Sequence, residues 1–239
     1  MKVSVIIPAH NEEKLLPRCL ESVRVASSFY RGAVEVIVAC NRCSDRTESI
    51  ARAFGCATLI DDSYCLARIR NLGAAKATGD VIITIDADSW MTPGVIKECT
   101  ARLRSGRYVG GGAWIRPERI SPGIFCSLLV VFPFVVARGV SGGLFWCYKE
   151  DFDAISGFDE SLVSVEDLDF AVRLKRHGRR TGRVFGTLRR DFIWTSCRKF
   201  DQFGDWYLVR NPRLVFAIFS GRDRAAANRF YYHTRDKAV

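Results

Sequence analysis

The stretch Val81-Ile-Ile-Thr-Ile-Asp-Ala-Asp-Ser-Trp90 decides the fold class of this chain. A short, largely apolar run between Gly79-Asp80 and Pro93-Gly94 is typical of a strand that is buried on both faces of a sheet. Asp86 and Asp88 follow this run, and their side chains point to the same side if strand geometry continues through them.

The position and the charge of Asp86 and Asp88 together indicate a cation site. The carboxyl ends of buried parallel strands are where open α/β sheets bind ligands. Two neighbouring carboxylates favour a hard divalent ion that keeps coordination positions open for a diphosphate. The alternative is a solvated turn after a strand.

The first 110 residues alternate between strand-like and helix-like patterns. Strands are predicted at 3–7, 34–39, 57–60 and from 81 onward, with helical spacing between them, including a helix over 66–78. This alternation predicts a mostly parallel central sheet flanked by helices, which is an α/β fold. The chain has neither G-x-G-x-x-G after its first strand nor G-x-x-x-x-G-K-[ST], which argues against a dinucleotide-binding or P-loop fold.

The pattern after residue 110 is less regular. Residues 109–114 are glycine-rich and predict a strand or a turn, and residues 140–148 predict a strand with a flexible start. The nearly all-apolar segment 124–137 is too short to span a bilayer and predicts a buried or interfacial helix, with burial as the default. A short helix is predicted from Lys149 to Ala154, and a longer one follows the acidic pair Glu166-Asp167.

The charge of the chain is concentrated in its last third. The net charge is +10 over 239 residues, divided into +3 for residues 1–110, −5 for 111–170 and +12 for 171–239. A basic excess favours phosphate-bearing partners, such as a nucleotide-linked substrate, an anionic membrane or a nucleic acid. Nine scattered cysteines with a single C-x-x-C, and no signal-like start, lead us to expect reduced thiols, no zinc site and a cytoplasmic location.

The chain resembles the family 2 glycosyltransferases with the GT-A fold over about residues 3–180. The motifs that carry the resemblance occur in the family's order and spacing: Val5-Ile-Ile-Pro-Ala-His-Asn-Glu12, Cys43-Ser-Asp-Arg-Thr47, Ile69-Arg-Asn-Leu-Gly73, Ala77-Thr-Gly-Asp80, Asp86-Ala-Asp88, Gly157-Phe-Asp-Glu160 and Glu166-Asp167. The resemblance implies an inverting transfer of a sugar from a nucleoside-diphosphate sugar to an acceptor hydroxyl.

The resemblance also implies roles for individual residues. Asp86 and Asp88 would hold Mg²⁺ or Mn²⁺, which neutralises charge on the leaving diphosphate. Asp167 would be the base that accepts the proton of the acceptor hydroxyl, with Glu166 as second choice. The nucleotide would be held by Pro8, Ala9, His10, Asn11, Glu12, Asn41, Arg70, Asp86 and Ala87, and the sugar or acceptor would be approached by Gly142, Gly143 and Trp146.

The chain departs from the family pattern at Asn41, where Asp-Asp is often found. An Asn side chain offers donors as well as acceptors, whereas Asp offers only acceptors, so the preference for uracil is weakened. A UDP-sugar is therefore the first expectation for the donor and a GDP-sugar the second.

The predicted domain organisation is one glycosyltransferase domain followed by an extension. Residues 1–195 form the domain, with a nucleotide-binding half at 1–110 and an acceptor-binding half at 111–195, and residues 196–239 form a basic, aromatic C-terminal extension. Residues 195–200 could close over phosphates or form a solvated loop.

The extension bears on the expected partners. Its arginines and aromatic residues suit peripheral contact with the inner face of a membrane, and suit a homodimer contact almost as well. No nucleic acid partner is expected. The acceptor is left open between a glycan, a lipid-linked molecule and a small molecule. The alternative function is a non-catalytic protein that binds a nucleotide, or a nucleic acid through the basic last third.

Overall fold

The computed structural model describes residues 1–136, 138–162 and 165–215 as a mixed α/β domain. The eight strands found in these residues are β1 (Val3–Ala9), β2 (Val34–Asn41), β3 (Ala57–Asp61), β4 (Val81–Ile85), β5 (Ser89–Met91), β6 (Tyr108–Pro117), β7 (Leu144–Tyr148) and β8 (Val184–Thr195). The helices are α1 (Leu16–Ser28), α2 (Thr47–Ala53), α3 (Leu66–Lys76), α4 (Val95–Arg104), α5 (Pro122–Val136), α6 (Lys149–Ala154), α7 (Glu166–Arg180), α8 (Arg198–Phe203) and α9 (Tyr207–Arg210).

The strands form one sheet in the order β3-β2-β1-β4-β7-β6-β8-β5. The first four are parallel, with β1 paired to both β2 and β4. β7 enters antiparallel between β4 and β6, and the short edge strand β5 runs antiparallel to β8. Because β6 and β8 are parallel, four of the seven pairings among the described strands are parallel, which agrees with the expected fold class.

The sheet order reverses at β1, and this reversal creates the cleft. From β1 the chain moves outward to β2 and β3, and then returns to place β4 on the other side of β1. The connections on the two sides of β1 therefore diverge, and ligands of open α/β sheets bind in the crevice left at such a switch point. The carboxyl ends of β1, β2 and β4 meet at this edge.

Burial on both faces explains why β1 and β4 are largely apolar. On β1, Val5 and Ile7 face one hydrophobic core, which α1 and α4 cover, while Ile6 faces a second core. The second core is rich in aromatic residues from β7, α6, α7 and the segment between α6 and α7: Phe145, Phe152, Phe170 and Phe158. Phe158 and Phe170 stack with their ring centroids 4.3 Å apart. A strand packed on both sides needs apolar side chains at nearly every position, which is the pattern of β1 and β4 apart from the buried Ser4 and Thr84.

Several predicted elements differ from the structure in their extent. β4 ends at Ile85, so strand geometry does not continue through Asp86 and Asp88; these residues form a turn in which the Ser89 amide donates to the Asp86 carbonyl over 3.0 Å. The chain then leaves the line of β4, because residues 89–91 pair with β8 as a separate strand that the sequence pattern did not indicate.

The apolar helix α5 is also only partly buried, contrary to the default of a core helix. None of the described helices combines the length and the apolar character that crossing a bilayer requires. The residues of the extension beyond Val215 lie outside the described part, so the expectations made for residues 216–239 are not addressed by the fold.

Candidate functional site

A cleft of about 310 Å³ opens at the carboxyl edge of β1, β2 and β4. Most of the predicted site residues line it: Pro8, Ala9, His10, Glu12, Asn41, Arg70, Asp86, Ala87, Asp88, Gly143, Glu166 and Asp167. The remaining wall comes from Leu66, Ile69, Ser89, Ile115, Val165, Ile193, Thr195 and Lys199. Residues far apart in sequence therefore share one site.

Arg70 connects the acidic turn after β4 to the acidic pair on α7. Its guanidinium donates from Nη2 to Asp86 Oδ1 and from Nη1 to Glu166 Oε1, both over 2.7 Å. The Arg70 side chain is only 6% exposed, so these two bonds form in a poorly solvated place where they are strong. Arg70 thus fixes the spacing between the Asp86 and Glu166 carboxylates.

A second arginine, Arg198, pairs with the other acid of the turn. Its guanidinium binds both carboxylate oxygens of Glu12, over 2.8 and 3.0 Å, and Nη2 also lies 3.2 Å from Asp88 Oδ2. The Glu12 side chain is 2% exposed, so its charge needs this partner. Arg198 was not among the predicted site residues, although the basic segment 195–200 was the signal that could have identified it.

The two aspartates of the turn have a donor set that fits a divalent cation with incomplete protein coordination. Asp86 is 42% exposed and Asp88 is 19% exposed, and both line the cleft. No group of three or more His, Cys, Asp or Glu side chains is poised to hold a metal in residues 1–136, 138–162 and 165–215. Mg²⁺ is commonly bound through only one or two carboxylates together with substrate phosphates, so the two carboxylates suffice for such a site.

Asn41 lies at the end of β2 with its amide group already oriented. Its Nδ2 donates to the main-chain oxygens of Asp61 and Ser63, over 2.8 and 2.7 Å. Its own main-chain oxygen lies 2.7 Å from His10 Nδ1, which ties the ends of β1 and β2 together. Both amide hydrogens of Asn41 are therefore used, and the group it can present to a ligand is the carbonyl oxygen Oδ1.

Glu166 and Asp167 open α7 inside the cleft. The preceding residue, Val165, has a φ of 56°, which is a strained value for a β-branched side chain and turns the chain sharply into the helix. Burial raises the pKa of both carboxyl groups above the ordinary range, and the positive charge of Arg70 opposes that rise. Glu166 is held by Arg70, whereas Asp167 Oδ1 accepts from the Leu168 amide over 2.7 Å.

Three predicted residues do not line the cleft. The expectation for Trp146 is wrong: its side chain is fully buried in the core, and its Nε1 donates to the Gly112 carbonyl over 3.1 Å. Asn11, with a φ of 50°, accepts from the Ser44 amide and so joins two loops. Gly142 is half-buried next to the cleft, and an added Cβ would sit 3.6 Å from Asp167 Oδ2.

The chain matches the model of the family described as Glycosyl transferase family 2 over residues 4–122, which is about half its length. It is 32% identical over 120 residues to an undecaprenyl-phosphate 4-deoxy-4-formamido-L-arabinose transferase from Proteus mirabilis, covering 46% of this chain and 36% of the relative. It is 39% identical over 97 residues to a 4,4'-diaponeurosporenoate glycosyltransferase from Staphylococcus haemolyticus, covering 36% of this chain and 24% of the relative. The matched segments thus span well under half of these relatives.

Solved structures share the fold over nearly the whole chain. The structure of S. aureus TarS in complex with UDP-GlcNAc aligns with a TM-score of 0.64 and 18% identity, covering 96% of this chain and 70% of that one. The Mycobacterium tuberculosis glucosyl-3-phosphoglycerate synthase in complex with Mn²⁺, UDP and phosphoglyceric acid aligns with a TM-score of 0.61 and 19% identity, covering 94% and 80%. At these identities the likeness establishes the fold, which is the GT-A fold expected from the motifs.

Proposed function

Because the chain belongs to glycosyl transferase family 2, we propose that it transfers a sugar from a nucleoside-diphosphate sugar to an acceptor hydroxyl, with inversion at the anomeric carbon. The observation that carries the proposal is the meeting of Asp86 and Asp88 with Asp167 in one cleft. The metal ion that binds the diphosphate and the base that accepts the proton each need carboxylates, at separate positions in the cleft. Arg70 bonds to both Asp86 and Glu166 and so keeps these two acidic positions apart.

Asp167 is the proposed base. A base must have an oxygen that can reach the hydroxyl hydrogen, and Glu166 Oε1 is already bonded to Arg70. Asp167 lines the cleft and has a pKa that burial raises, which makes its carboxylate a stronger proton acceptor than an ordinary aspartate. In this proposal Glu166 positions Arg70, and Asp167 takes the proton as the acceptor oxygen attacks.

The donor end of the cleft would hold the nucleotide and a divalent ion. A bound Mg²⁺ or Mn²⁺ would supply charge neutralisation for the leaving diphosphate. Asp86 and Asp88 would hold it, and Lys199 lines the same cleft with a positive charge suited to a phosphate. The M. tuberculosis neighbour was crystallised with Mn²⁺ and UDP, which supports a divalent ion for this chain as well.

Uracil is the base that Asn41 favours. Because the amide hydrogens of Asn41 bind Asp61 and Ser63, its Oδ1 acts as a pure acceptor, like the carboxylate often found there in the family. Uracil carries an N3–H donor that such an oxygen can accept. Guanine carries an N1–H donor, so a GDP-sugar is the second candidate, while cytosine and adenine present an acceptor at the equivalent ring nitrogen.

We keep residues 1–195 as the catalytic domain and 196–239 as its extension, with Lys199 and Arg198 reaching back to the cleft from the extension. The acceptor is proposed only as a hydroxyl-bearing glycan, lipid-linked or small molecule. Membrane or homodimer contact through the extension, residues 196–239, stays a prediction.

The test of the function is thermal stabilisation by nucleoside diphosphates. We expect UDP with Mn²⁺ to raise the melting temperature most, GDP less, and ADP and CDP least, with the shift lost in EDTA. A ligand at about 100 times its Kd stabilises the native state by about 2.7 kcal/mol. The absence of any shift, together with salt-sensitive binding to random oligonucleotides, would instead support the alternative of a nucleic-acid-binding protein.

The pH dependence of transfer should reflect the raised pKa of Asp167. The base works only when it is deprotonated, so kcat/KM should fall as pH drops through that pKa, by about tenfold per pH unit below it. Because burial raises the pKa, this fall should begin above the ordinary aspartate value of about 3.9. The check is a pH–rate profile with melting temperatures at each pH; an acid limb at or below the ordinary value contradicts the assignment.

Removal of Arg198 should separate its two effects. Arg198→Gln leaves the Glu12 carboxylate without its bidentate partner, so we expect the free energy of unfolding without metal to drop by about 1–3 kcal/mol. Mn²⁺ should bind more tightly, because a positive charge is removed from beside Asp88. Urea unfolding and calorimetric Mn²⁺ titration measure the two effects.

The matched control for Arg198 is Arg119, which also binds two acids, Asp201 and Asp205, away from the cleft. Arg119→Gln should leave Mn²⁺ affinity unchanged. Equal Mn²⁺ affinity in the Arg198→Gln and wild-type chains would show that the guanidinium does not compete at Asp88.

A further inference from the structure

The helix α5 presents an apolar face to solvent. Phe125, Leu128, Leu129 and Phe132 are 54%, 42%, 54% and 62% exposed. They are spaced at i, i+3, i+4 and i+7, so they lie on one side of the helix as a continuous stripe. Exposed apolar residues are normal when scattered, but a contiguous stripe marks an interaction surface.

The orientation of α5 is fixed by its opposite side. Ile124 and Ser127 are fully buried, and Ser127 Oγ donates to the Asp205 carbonyl just before α9 over 3.0 Å. Arg119, ahead of the helix, donates to the carboxylates of Asp201 and Asp205. Rotation of the helix to bury its apolar stripe would break this packing, so the exposure belongs to the fold.

Two further exposed apolar residues come from segments next to α5. Ile120, before the helix, is 72% exposed, and Trp206, at the start of α9, is 43% exposed. Trp is favoured where an apolar region meets water, because its ring is apolar while its N–H can still bond. We use the term α5 patch for Ile120, Phe125, Leu128, Leu129, Phe132 and Trp206.

The charges around the α5 patch are arranged for an anionic surface. Residues 120–137 carry no charged side chain, and the exposed arginines Arg116 and Arg138 precede and follow this segment in sequence. Two more exposed arginines, Arg210 and Arg213, lie at the end of α9 and just after it, and α9 packs against α5. The acids in this region are already paired, Glu118 with Arg18 and the carboxylates of Asp201 and Asp205 with Arg119. An apolar stripe with basic flanks is the pattern of a helix lying in the surface of an acidic membrane.

The same charges disfavour the other occupants. A second copy of the chain carries a net charge of +10, and residues 216–239 of this chain carry a net charge of +3. Either would bring like charges to the basic flanks of the patch, whereas anionic phospholipid brings opposite ones.

We propose that the α5 patch docks this protein on an anionic phospholipid bilayer, with α5 parallel to the surface. The apolar stripe lies at the boundary of headgroups and acyl chains, and the flanking arginines lie among the lipid phosphates. This proposal does not rest on the proposed function. It centres the membrane contact on α5, and the extension contributes only Trp206, Arg210 and Arg213 beside that helix.

The experiment is flotation of the full chain with vesicles of phosphatidylglycerol mixed with phosphatidylcholine, and with pure phosphatidylcholine. The combined variant Phe125→Ser, Leu129→Ser and Phe132→Ser is compared with the wild type. The control is the pair Phe29→Ser and Ile60→Ser, whose side chains are 59% and 62% exposed elsewhere. We expect the anionic vesicles to bind the wild type and the control, and the triple variant to lose at least about tenfold in partitioning.

A second variant guards against misfolding of the first. Arg138→Gln with Arg213→Gln leaves the stripe intact and should weaken binding to anionic vesicles, while rising salt should weaken wild-type binding. Equal binding of the wild type and the triple variant, or no preference for anionic lipid, overturns the proposal. The proposal is also overturned if light scattering shows that the wild type is a dimer and the triple variant a monomer, because a second copy of the chain then covers the patch. The proposal is likewise overturned if the wild type does not bind vesicles and the triple variant has a lower melting temperature. Residues 216–239 would then be the segment that packs on the α5 patch.

Discussion

Asp167→Asn should lower kcat for sugar transfer by about 10²–10⁴-fold while leaving the affinity for the nucleoside diphosphate nearly unchanged. The amide has the size of the carboxylate and can still accept from the Leu168 amide, which now binds Asp167 Oδ1 over 2.7 Å. It cannot accept a proton at neutral pH. The loss should therefore appear in the chemical step, measured by initial rates together with UDP titration.

Asp169 provides the matched control for this experiment. It lies in the same first turn of α7, but its carboxylate pairs with Arg173 Nε over 2.6 Å and does not line the cleft. Asp169→Asn removes the same charge from the same helix turn and should keep most of the activity. Unchanged turnover in Asp167→Asn would remove Asp167 as the base, and the same loss in Glu166→Gln alone would transfer the role to Glu166.

Asp88→Ala should abolish metal-dependent nucleotide binding. With Asp86 left as the single carboxylate of the pair, the affinity for UDP in Mn²⁺ should fall by about 100-fold or more, since even the outer partners of metal ligands are worth 10–100-fold. The fold should survive, because Arg198 keeps its two bonds to Glu12 when Asp88 is lost. Calorimetric titration of UDP with Mn²⁺ and with EDTA measures the effect.

Asp153→Ala is the control for the loss of an aspartate. Asp153 is 59% exposed on α6, where it pairs with Lys149, and it lies outside the cleft. It should bind UDP and Mn²⁺ like the wild type. Metal-dependent UDP binding that persists in Asp88→Ala would exclude Asp88 as a metal ligand and favour the non-catalytic alternative if transfer were also absent.

Local patterns were sufficient to predict the fold of the first half of the chain. Val3–Ala9 and Val81–Ile85 are buried on both faces, as their largely apolar sequences indicate, and Lys149–Ala154 is a helix with the predicted bounds. The order of strands and helices predicted parallel pairing, which brings the ends of β1, β2 and β4 to one edge. The residues that follow these strand ends could therefore be predicted to share one site.

The residues missed or misplaced are those whose environment depends on distant segments. Trp146 follows a glycine pair in a strand-like run, and nothing local distinguishes a ring that faces a ligand from one that packs between β6 and its neighbours; the hydrogen bond to Gly112 decides it. The short strand Ser89–Met91 exists because β8 pairs with it, and its three residues carry no pattern of their own.

The sequence by itself determined the family motifs, the alternation of strands and helices, and the acids that follow β4 and open α7. These features are local, since side-chain periodicity and turn residues act within a few positions of each other. Only the tertiary structure decided that Arg198 would reach Glu12, 186 positions earlier in the chain, and that α5 would keep an apolar face in solvent. Such contacts depend on which surfaces meet when the chain folds, and one segment's pattern does not specify its partner.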